Sequence, residues 1–254
     1  MQLDGQIAII TGASSGMGAC TADYLAARGV RVGLLDINEE ALVDVAERTG
    51  GIAVRCDVAD AASMETAVAR VNDELGVARI LVNCAGVAPA KRIVGRGGPM
   101  ALEAFSKVIE VNLIGSFNAM RCAAASMMAL EPVNDGGERG VIVSTASVAA
   151  FEGQIGQAAY AASKGGIVSL TLPAAREFAR FGIRVMAIAP GLIGTPMLLG
   201  MPQEVQDSLA GSVPFPQRFG RPDEFAALVE HIVTNEMLNG EVIRLDGAIR
   251  MQPS

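Results

Sequence analysis

Hydrophobic residues along this chain fall into seven short continuous runs, and stretches with helical periodicity separate them. In order, the runs are QIAIITG, RVGLLDI, GIAVRCDV, RILVNCAG, GVIVSTAS, IRVMAIAP and EVIRLDG. Strands that are buried on both faces have unbroken apolar runs, and helices of about 12 residues or more between them make the strands parallel. The pattern therefore predicts a doubly wound α/β fold with a seven-stranded parallel sheet.

Capping residues mark where several of the helices begin and end. Asn38 precedes two glutamates and is typical of an N-cap with an acidic first turn, and Gly50 closes the same helix. Asp60 and Pro222 are placed to open two further helices. These signals fall between the apolar runs, as the predicted alternation of strands and helices requires.

Two stretches interrupt the alternation, Ala88–Ala101 and Pro190–Pro222. They follow the fourth and sixth strands, so they lie at the carboxyl edge of the sheet, where open α/β folds bind ligands. Within the second, residues 196–215 are a candidate substrate lid, and a mobile surface loop with a short helix is the alternative. The apolar residues of this lid are Met197, Leu198, Leu199, Met201 and Val213. No change of composition marks a boundary, so we expect residues 1–254 to form one domain.

Composition and charge narrow the classes of function. At 254 residues and 51% hydrophobic, the chain can bury a large core, and its net charge of −7 argues against a nucleic-acid surface. Its apolar runs are shorter than the ~18 residues of a membrane span, and the N-terminus resembles no signal or transit sequence. We expect a soluble protein of the bacterial cytoplasm, with a mitochondrial matrix as the alternative, acting on a small molecule.

The four cysteines are widely spaced, with no C-x-x-C pair among them. This spacing suits neither a disulfide framework nor a zinc site, and it indicates a reducing compartment. The sole histidine, His231, lies in a helical pattern with no ligand set nearby in the sequence. We therefore expect His231 to be structural and the protein to have no metal site.

A glycine-rich turn, TGASSGMG from Thr11 to Gly18, directly follows the first strand and opens a helix. Its glycines, Gly12, Gly16 and Gly18, let backbone N–H groups approach a pyrophosphate at the positive end of that helix. A tight strand-to-helix connection is the alternative, but the place of the turn in the first βα unit favours cofactor binding. We predict that the whole chain is one dinucleotide-binding and catalytic domain with a Rossmann fold.

Two aspartates follow the next strands. Asp36 ends the second strand, 24 residues after Gly12, where a carboxylate accepts hydrogen bonds from ribose hydroxyls and repels a 2′-phosphate. Asp36 therefore favours NAD over NADP, unless it merely caps the strand. Asp57 follows the third strand and is placed to meet the adenine amino group, and a turn-forming aspartate is the alternative.

A tyrosine and a lysine carry the candidate chemistry. Tyr160 and Lys164 lie four residues apart and share one face of a helix, and Ser147 follows the fifth strand. A phenol needs its pKa lowered from about 10 to act as an acid or base near neutral pH, and an adjacent ammonium group favours the phenolate. Ser147 is then placed to hold a substrate oxygen beside the phenol.

The same spacing also suits an amphipathic pair without chemistry. Here, however, the flanking sequence AAYAASKGG consists of small residues, which clear the space that a cofactor or a close backbone neighbour requires. This context favours a catalytic role for the pair.

Over essentially its whole length the sequence resembles the short-chain dehydrogenase/reductase family. Six motifs occur in the family's order: T-G-x-x-x-G-x-G at 11–18, NCAG at 83–86, VN at 111–112, Ser147, Y-x-x-x-K at 160–164 and PG at 190–191. The resemblance implies a tetrad of Asn112, Ser147, Tyr160 and Lys164, in which Asn112 holds a water that carries the proton from Lys164 towards solvent. It further implies that Thr195 holds the nicotinamide carboxamide, with Ile193 nearby. Other implied cofactor residues are Ser15, Met17, Val58, Cys84, Ala85 and Gly86, and Cys84 stands where many members have a second asparagine.

Longer stretches, such as GIRVMAIAPGLIGTP and LNGEVIRLDGAIRMQP, resemble the type II 3-hydroxyacyl-CoA dehydrogenase branch, also called 17β-hydroxysteroid dehydrogenase type 10. This resemblance implies an NAD-dependent homotetramer that reversibly oxidises short or branched 3-hydroxyacyl-CoA to 3-oxoacyl-CoA, with Tyr160 as general acid/base. Lys91, Arg92 and Arg96 are either a solvated basic loop or a contact for CoA phosphates. Alternatives are an NADPH-dependent 3-oxoacyl carrier-protein reductase, a hydroxysteroid or alcohol dehydrogenase, and a non-catalytic NAD-binding sensor.

Overall fold

A computed structural model describes residues 1–253, so Ser254, the last residue of the expected domain, and the side chain of Met197 lie outside the described part. The strands of the main sheet are β1 Ile7–Thr11, β2 Arg31–Asp36, β3 Ile52–Arg55, β4 Ile80–Asn83, β7 Gly140–Thr145, β8 Ile183–Pro190 and β9 Val242–Leu245. A short hairpin is formed by β5 Val94–Gly95 and β6 Gly98–Pro99. The helices are α1 Gly16–Ala26, α2 Glu39–Thr49, α3 Ala61–Leu75, α4 Leu102–Ile109, α5 Gly115–Met127, α6 Ala158–Phe178, α7 Pro196–Leu199, α8 Gln203–Gly211 and α9 Pro222–Thr234.

The main sheet has the order β3-β2-β1-β4-β7-β8-β9, and every neighbouring pair is parallel. The strand order reverses between β1 and β4, because the chain builds outwards from β1 first on one side and then on the other. The predicted seven-stranded doubly wound sheet is confirmed. A ligand cleft is expected where the order reverses, at the carboxyl ends of the strands.

Alternate residues of each strand pack on opposite faces of the sheet, because side chains along a strand point alternately to its two sides. Ile10 and Val82 pack with Leu25 of α1 and Phe225 of α9 on one face. Ile9, with its alternating neighbours, packs against α3, α5 and α6 on the other face. Burial on both faces explains why the strands are unbroken apolar runs.

The helix boundaries follow the capping signals. Asn38 accepts a hydrogen bond from the Ala41 N–H, and Gly50 ends α2 at a φ of 65°, in the left-handed region that favours glycine. Asp60 caps α3 through the Ser63 N–H, and Pro222 occupies the first turn of α9. All four boundaries agree with the prediction.

Both interruptions of the βα alternation emerge at the carboxyl edge of the sheet. The first contains the β5–β6 hairpin, and the second contains α7 and α8. The ends of the second are tied together, because the Gly194 N–H donates to the Gly220 carbonyl and the Gly220 N–H donates to the Leu192 carbonyl. Within residues 1–253, no helix has both the length and the apolar character to cross a membrane.

Candidate active site

A cleft of about 570 Å³ lies at the carboxyl edge of the sheet, where the strand order reverses. Every residue expected to bind the cofactor lines it. These residues are Gly12, Ser15, Gly16, Met17, Gly18, Asp36, Asp57, Val58, Cys84, Ala85, Gly86, Tyr160, Lys164, Ile193 and Thr195. Ser147 lines the cleft as well, whereas Asn112 lies behind its wall and is fully buried.

The glycine-rich turn has the backbone geometry of a phosphate cradle. Gly12 and Gly16 have φ of 66° and 54°, and a Cβ atom at Gly12 would lie 2.6 Å from the Ala85 nitrogen. A Cβ at Gly18 would overlap the carbonyl oxygen of Gly12. Because the turn opens α1, its N–H groups and the positive end of the helix dipole face the cleft, which suits the pyrophosphate of a dinucleotide.

Asp36 lies at the end of β2, on the rim of the cleft. Its carboxylate accepts hydrogen bonds from the Ser14 N–H at 3.1 Å and from the Asn38 N–H at 3.0 Å. Asp36 therefore ties the glycine-rich turn to the start of α2 and also presents its charge to the cleft. Asp57 lies two residues beyond the end of β3, and its Oδ1 accepts from the Ala59 N–H, so it does form a turn while it lines the cleft.

Tyr160 and Ser147 meet at the floor of the cleft. Ser147 lies two residues beyond the end of β7 and caps a short 3₁₀ turn through the Ala149 N–H. Tyr160 lies in the first turn of α6. Burial raises the pKa of the Tyr160 phenol, and the neighbouring Ser147 hydroxyl acts in the opposite direction.

Lys164 lies one helical turn beyond Tyr160 and lines the cleft as well. Its Nζ is 5.9 Å from the centroid of the Tyr160 ring and donates to the Thr145 carbonyl at 2.6 Å. Lys164 is almost fully buried, and this desolvation lowers the pKa of its ammonium group to about 8. The Ser147 hydroxyl offsets only part of the effect of burial on Tyr160, whose pKa stays above its usual value.

Asn112 joins three parts of the site from inside the wall. It lies in a π-helical turn, Glu110–Ile114, between α4 and α5. Its Oδ1 accepts from the Val87 N–H at 2.8 Å, and its Nδ2 donates to the Val87 carbonyl at 2.9 Å and to the Ser163 hydroxyl at 3.0 Å. π-Helical turns occur frequently at functional sites, and this one turns Asn112 towards the chain that follows β4.

Ser163 was not identified from the sequence, although it lies inside the Y-x-x-x-K motif. It is fully buried, and its hydroxyl donates to the Tyr160 carbonyl at 2.7 Å while accepting from Asn112. Thr145, whose carbonyl accepts a hydrogen bond from Lys164, was not identified from the sequence either. The contacts of Ser163 with Asn112 and of Lys164 with Thr145 join residues that are far apart in the sequence, so no spacing signal could have revealed them. Further lining residues that the sequence did not predict include Ser14, Ile37, Val87, Lys107 and Thr145.

Cys84 contributes shape and backbone to the centre of the cleft. The Thr145 hydroxyl contacts its Sγ at 3.7 Å, and burial raises the pKa of the thiol to about 11. A thiol with this pKa is neutral near pH 7. The departure from a second asparagine at this position therefore adds no charge to the cofactor site.

The candidate lid covers one side of the cleft. Thr195 and Leu198 line the cleft, and Leu199 and Met201 have exposed side chains. Val213 does not belong to that face, because it is buried, occupies the space beside Gly247 and lines a second cavity of about 120 Å³. Val213 instead fastens the end of the lid segment to the body of the protein.

The remaining candidates lie away from the chemistry. His231 is exposed on α9 and contacts Asn235. Lys91, Arg92 and Arg96 are exposed at the hairpin, whose base is fastened by the Lys91 N–H to the Gly156 carbonyl at 2.8 Å. Among residues 1–253, no group of three or more His, Cys, Asp or Glu residues is arranged to bind a metal ion.

Comparison with known proteins shows similarity along the whole chain. The profile of the short chain dehydrogenase family matches residues 6–205. The human protein named 3-hydroxyacyl-CoA dehydrogenase type-2 is 51% identical over 253 residues, which are 98% of this chain and 97% of that protein. Its Drosophila melanogaster counterpart is 47% identical over 97% of this chain and 98% of its own length. The chain is also similar to the crystal structure of 3-hydroxyacyl-CoA dehydrogenase type-2 from Mycobacterium avium. The alignment covers 100% of both chains, with a TM-score of 0.92 and 40% sequence identity.

Proposed function

This chain belongs to the short-chain dehydrogenase family, and we propose that it reversibly oxidises short or branched 3-hydroxyacyl-CoA with NAD as the hydride acceptor. The resemblance noted in the sequence is thus confirmed, and the protein is an oxidoreductase enzyme that uses a nicotinamide cofactor. One observation carries the proposal: the Tyr160–Ser147 pair lies in the same cleft as the glycine-rich turn and Asp36. The proposed proton-transfer group and the proposed cofactor-binding turn therefore line the same cleft.

The choice of NAD rests on Asp36. Its carboxylate stands at the end of β2, beside the cleft, where it would accept hydrogen bonds from ribose hydroxyls and would repel an added 2′-phosphate. Two backbone N–H groups hold this carboxylate in place, so its charge stays at the rim. This arrangement supports NAD over NADP.

Tyr160 is the general acid/base in this proposal. The bound nicotinamide supplies an acceptor for the hydride that leaves the substrate carbon. Tyr160 takes the hydroxyl proton in the oxidative direction and returns it in the reductive one, while Ser147 donates a hydrogen bond to the same substrate oxygen. The positive charge of Lys164, behind Tyr160 in the wall, stabilises the phenolate.

A proton leaves Tyr160 through the buried polar groups behind it. Burial lowers the pKa of Lys164 to about 8, which suits a group that passes on a proton. Asn112 is fixed beside it by Val87 and Ser163, next to Gly86. We assign to Asn112 the role of ordering a water that connects Lys164 with solvent.

The acyl-CoA substrate class comes from the names of the relatives, and the hairpin supports it. Residues 86–102 contain Lys91, Arg92 and Arg96 and no acidic residue, although the chain as a whole carries a net charge of −7. The Lys91 backbone is fastened to Gly156, in the segment between Ser147 and Tyr160. An anionic nucleotide held at these cations would lie beside the entrance to the cleft.

Residues 196–215 serve as the substrate lid in this proposal, within a single domain that spans the chain. The segment leaves the rim at Thr195 and carries the apolar side chains of Leu198, Leu199 and Met201 next to the cleft. An acyl chain enclosed by these residues would be shielded from water during hydride transfer.

We further propose a homotetramer in the bacterial cytoplasm. Phe117 on α5 and Leu172 on α6 are exposed apolar side chains on two long helices, which suits burial between subunits. Cys20, Cys56, Cys84 and Cys122 are all free thiols, as a reducing compartment requires. Light scattering should give four times the chain mass of 26.2 kDa.

A steady-state assay in the oxidative direction tests the substrate class. We expect 3-hydroxybutyryl-CoA and NAD to produce NADH, and we expect the N-acetylcysteamine thioester of the same acid to show a higher KM. Replacing Lys91, Arg92 and Arg96 together by Ala should raise KM for the CoA thioester and leave KM for the short thioester unchanged. If the triple variant has an unchanged KM for both thioesters, the hairpin does not contribute to CoA recognition. If the wild-type protein turns over neither thioester, the proposed substrate class is wrong.

A further inference from the structure

The turn between β3 and α3 forms one wall of the cleft, and two of its residues, Asp57 and Val58, line it. β3 is the edge strand next to β2, and the register pairs Asp36 with Arg55, so this wall stands beside Asp36. Tyr160 and Ser147 approach the cleft from the opposite side of β1, near β7. The turn therefore borders the adenosine half of a dinucleotide and not its reacting half.

A buried asparagine on α5 holds this turn from behind. The side chain of Asn118 is 5% exposed, and its Nδ2 donates to the Val58 carbonyl at 3.0 Å and to the Asp60 carbonyl at 3.1 Å. Both amide hydrogens are thus used on the backbone of the turn. α5 also presents Gly115 to Val58, so closely that a Cβ at Gly115 would lie 2.6 Å from a methyl carbon of Val58.

A second pair of residues fixes the orientation of the Asn118 amide. Arg121 Nε donates to Asn118 Oδ1 at 2.9 Å, and an Arg121 NH2 donates to Glu65 Oε1 at 2.8 Å. Because the arginine side chain can only donate, the amide atom that faces Arg121 must be the oxygen and not the nitrogen. The amide nitrogen must then point towards the two carbonyls of the turn.

We propose that Asn118 is a positioning residue for the adenosine half of the cofactor, and that Arg121 and Glu65 set its orientation. It touches neither cofactor nor substrate but fixes the backbone on which Asp57 and Val58 stand. The inference rests on the proposed binding of NAD in the cleft, and it adds a residue to that site which no motif of the sequence marks. Loss of the Asn118 amide should weaken binding of the adenosine half alone.

Binding of cofactor fragments to Asn118→Leu tests this assignment without any substrate. Calorimetry with ADP-ribose, which lacks nicotinamide, and NADH should show a Kd about tenfold higher than wild type, because two buried hydrogen bonds behind the wall are lost. Reduced nicotinamide mononucleotide, which lacks adenosine, should bind with unchanged Kd. Arg121→Ala, at a partly exposed position, should raise the Kd of ADP-ribose by a smaller factor.

Asn72→Leu is the matched control. Asn72 lies at the same interface of α3 and α5 but donates to Ser126 instead of to the turn, so its loss should leave the Kd of ADP-ribose unchanged. Unchanged ADP-ribose binding in both Asn118→Leu and Arg121→Ala would overturn the inference, as would an equal loss for nicotinamide mononucleotide. Failure of the wild-type protein to bind NADH or ADP-ribose would instead overturn the proposed function.

Discussion

The amide of Asn112 donates a hydrogen bond of 3.0 Å to the hydroxyl of Ser163, and both side chains are fully buried. Ser163 in turn donates to the Tyr160 carbonyl, so a π-helical turn and the catalytic helix are joined directly behind the reacting groups. Asn112 and Tyr160 are therefore held in one rigid unit.

Ser163→Ala should lower kcat about tenfold, because it removes the hydrogen bond from Asn112 and the hydrogen bond to the Tyr160 carbonyl. KM for NADH should not change, since Ser163 does not line the cleft. The pH profile of kcat should shift as well if Asn112 orders the proton path. Thr171→Val is the control, because it removes another buried hydroxyl of α6 and should leave both constants unchanged. A profile and kcat identical to wild type would leave Ser163 with a structural role only.

Tyr160→Phe should reduce kcat by about 100- to 10,000-fold, because the phenol oxygen is the proposed acid/base. Binding of NADH, followed by its fluorescence, should remain within a few-fold of wild type. This combination separates an enzyme from a cofactor-binding sensor. Turnover that survives in the variant would require a different acid/base.

Asp36→Asn should reduce the preference for NADH over NADPH by about tenfold, because the variant no longer repels the 2′-phosphate. The amide oxygen can still accept a hydrogen bond from the neighbouring backbone, so the turn should persist. The ratio of kcat/KM for the two cofactors measures the effect. Asp44→Asn, the same change of charge on the exposed face of α2, should not alter that ratio.

The stabilisation that ionised Glu224 contributes should be lost in acid. Hydrogen bonds from the Arg218 side chain at 2.7 and 2.9 Å, and from the Arg221 N–H, lower the pKa of its carboxyl to about 2. Its stabilisation is complete above the unfolded pKa of about 4.3 and disappears as the pH falls towards 2.

Because the pair is partly exposed, Glu224→Gln should lower the free energy of unfolding by only about 1 kcal/mol at pH 7. Urea unfolding should show this difference shrinking between pH 5 and pH 2. Glu74→Gln, which breaks the more exposed pair with Arg70, is the comparison and should have a smaller effect. A difference between variant and wild type that does not depend on pH would argue against the lowered pKa.

The sequence predicted the seven strands and four of the helix boundaries, because burial on both faces and capping leave local signals. It also placed Gly12, Asp36 and Tyr160 at one cleft, since motifs after parallel strands meet at one edge. Contacts between distant segments left no such signal. The bond from Asn118 to the turn after β3 and the carbonyl that binds Lys164 depend on how helices dock onto the sheet.

The most direct test of the proposed function is the reduction of acetoacetyl-CoA, followed at 340 nm with NADH and NADPH in parallel. We expect rapid consumption of NADH and little consumption of NADPH, which would support the acyl-CoA substrate and the role of Asp36 together. A preference for NADPH would contradict the cofactor assignment and indicate a biosynthetic reductase. No turnover with either cofactor, while NADH still binds, would contradict the acyl-CoA substrate.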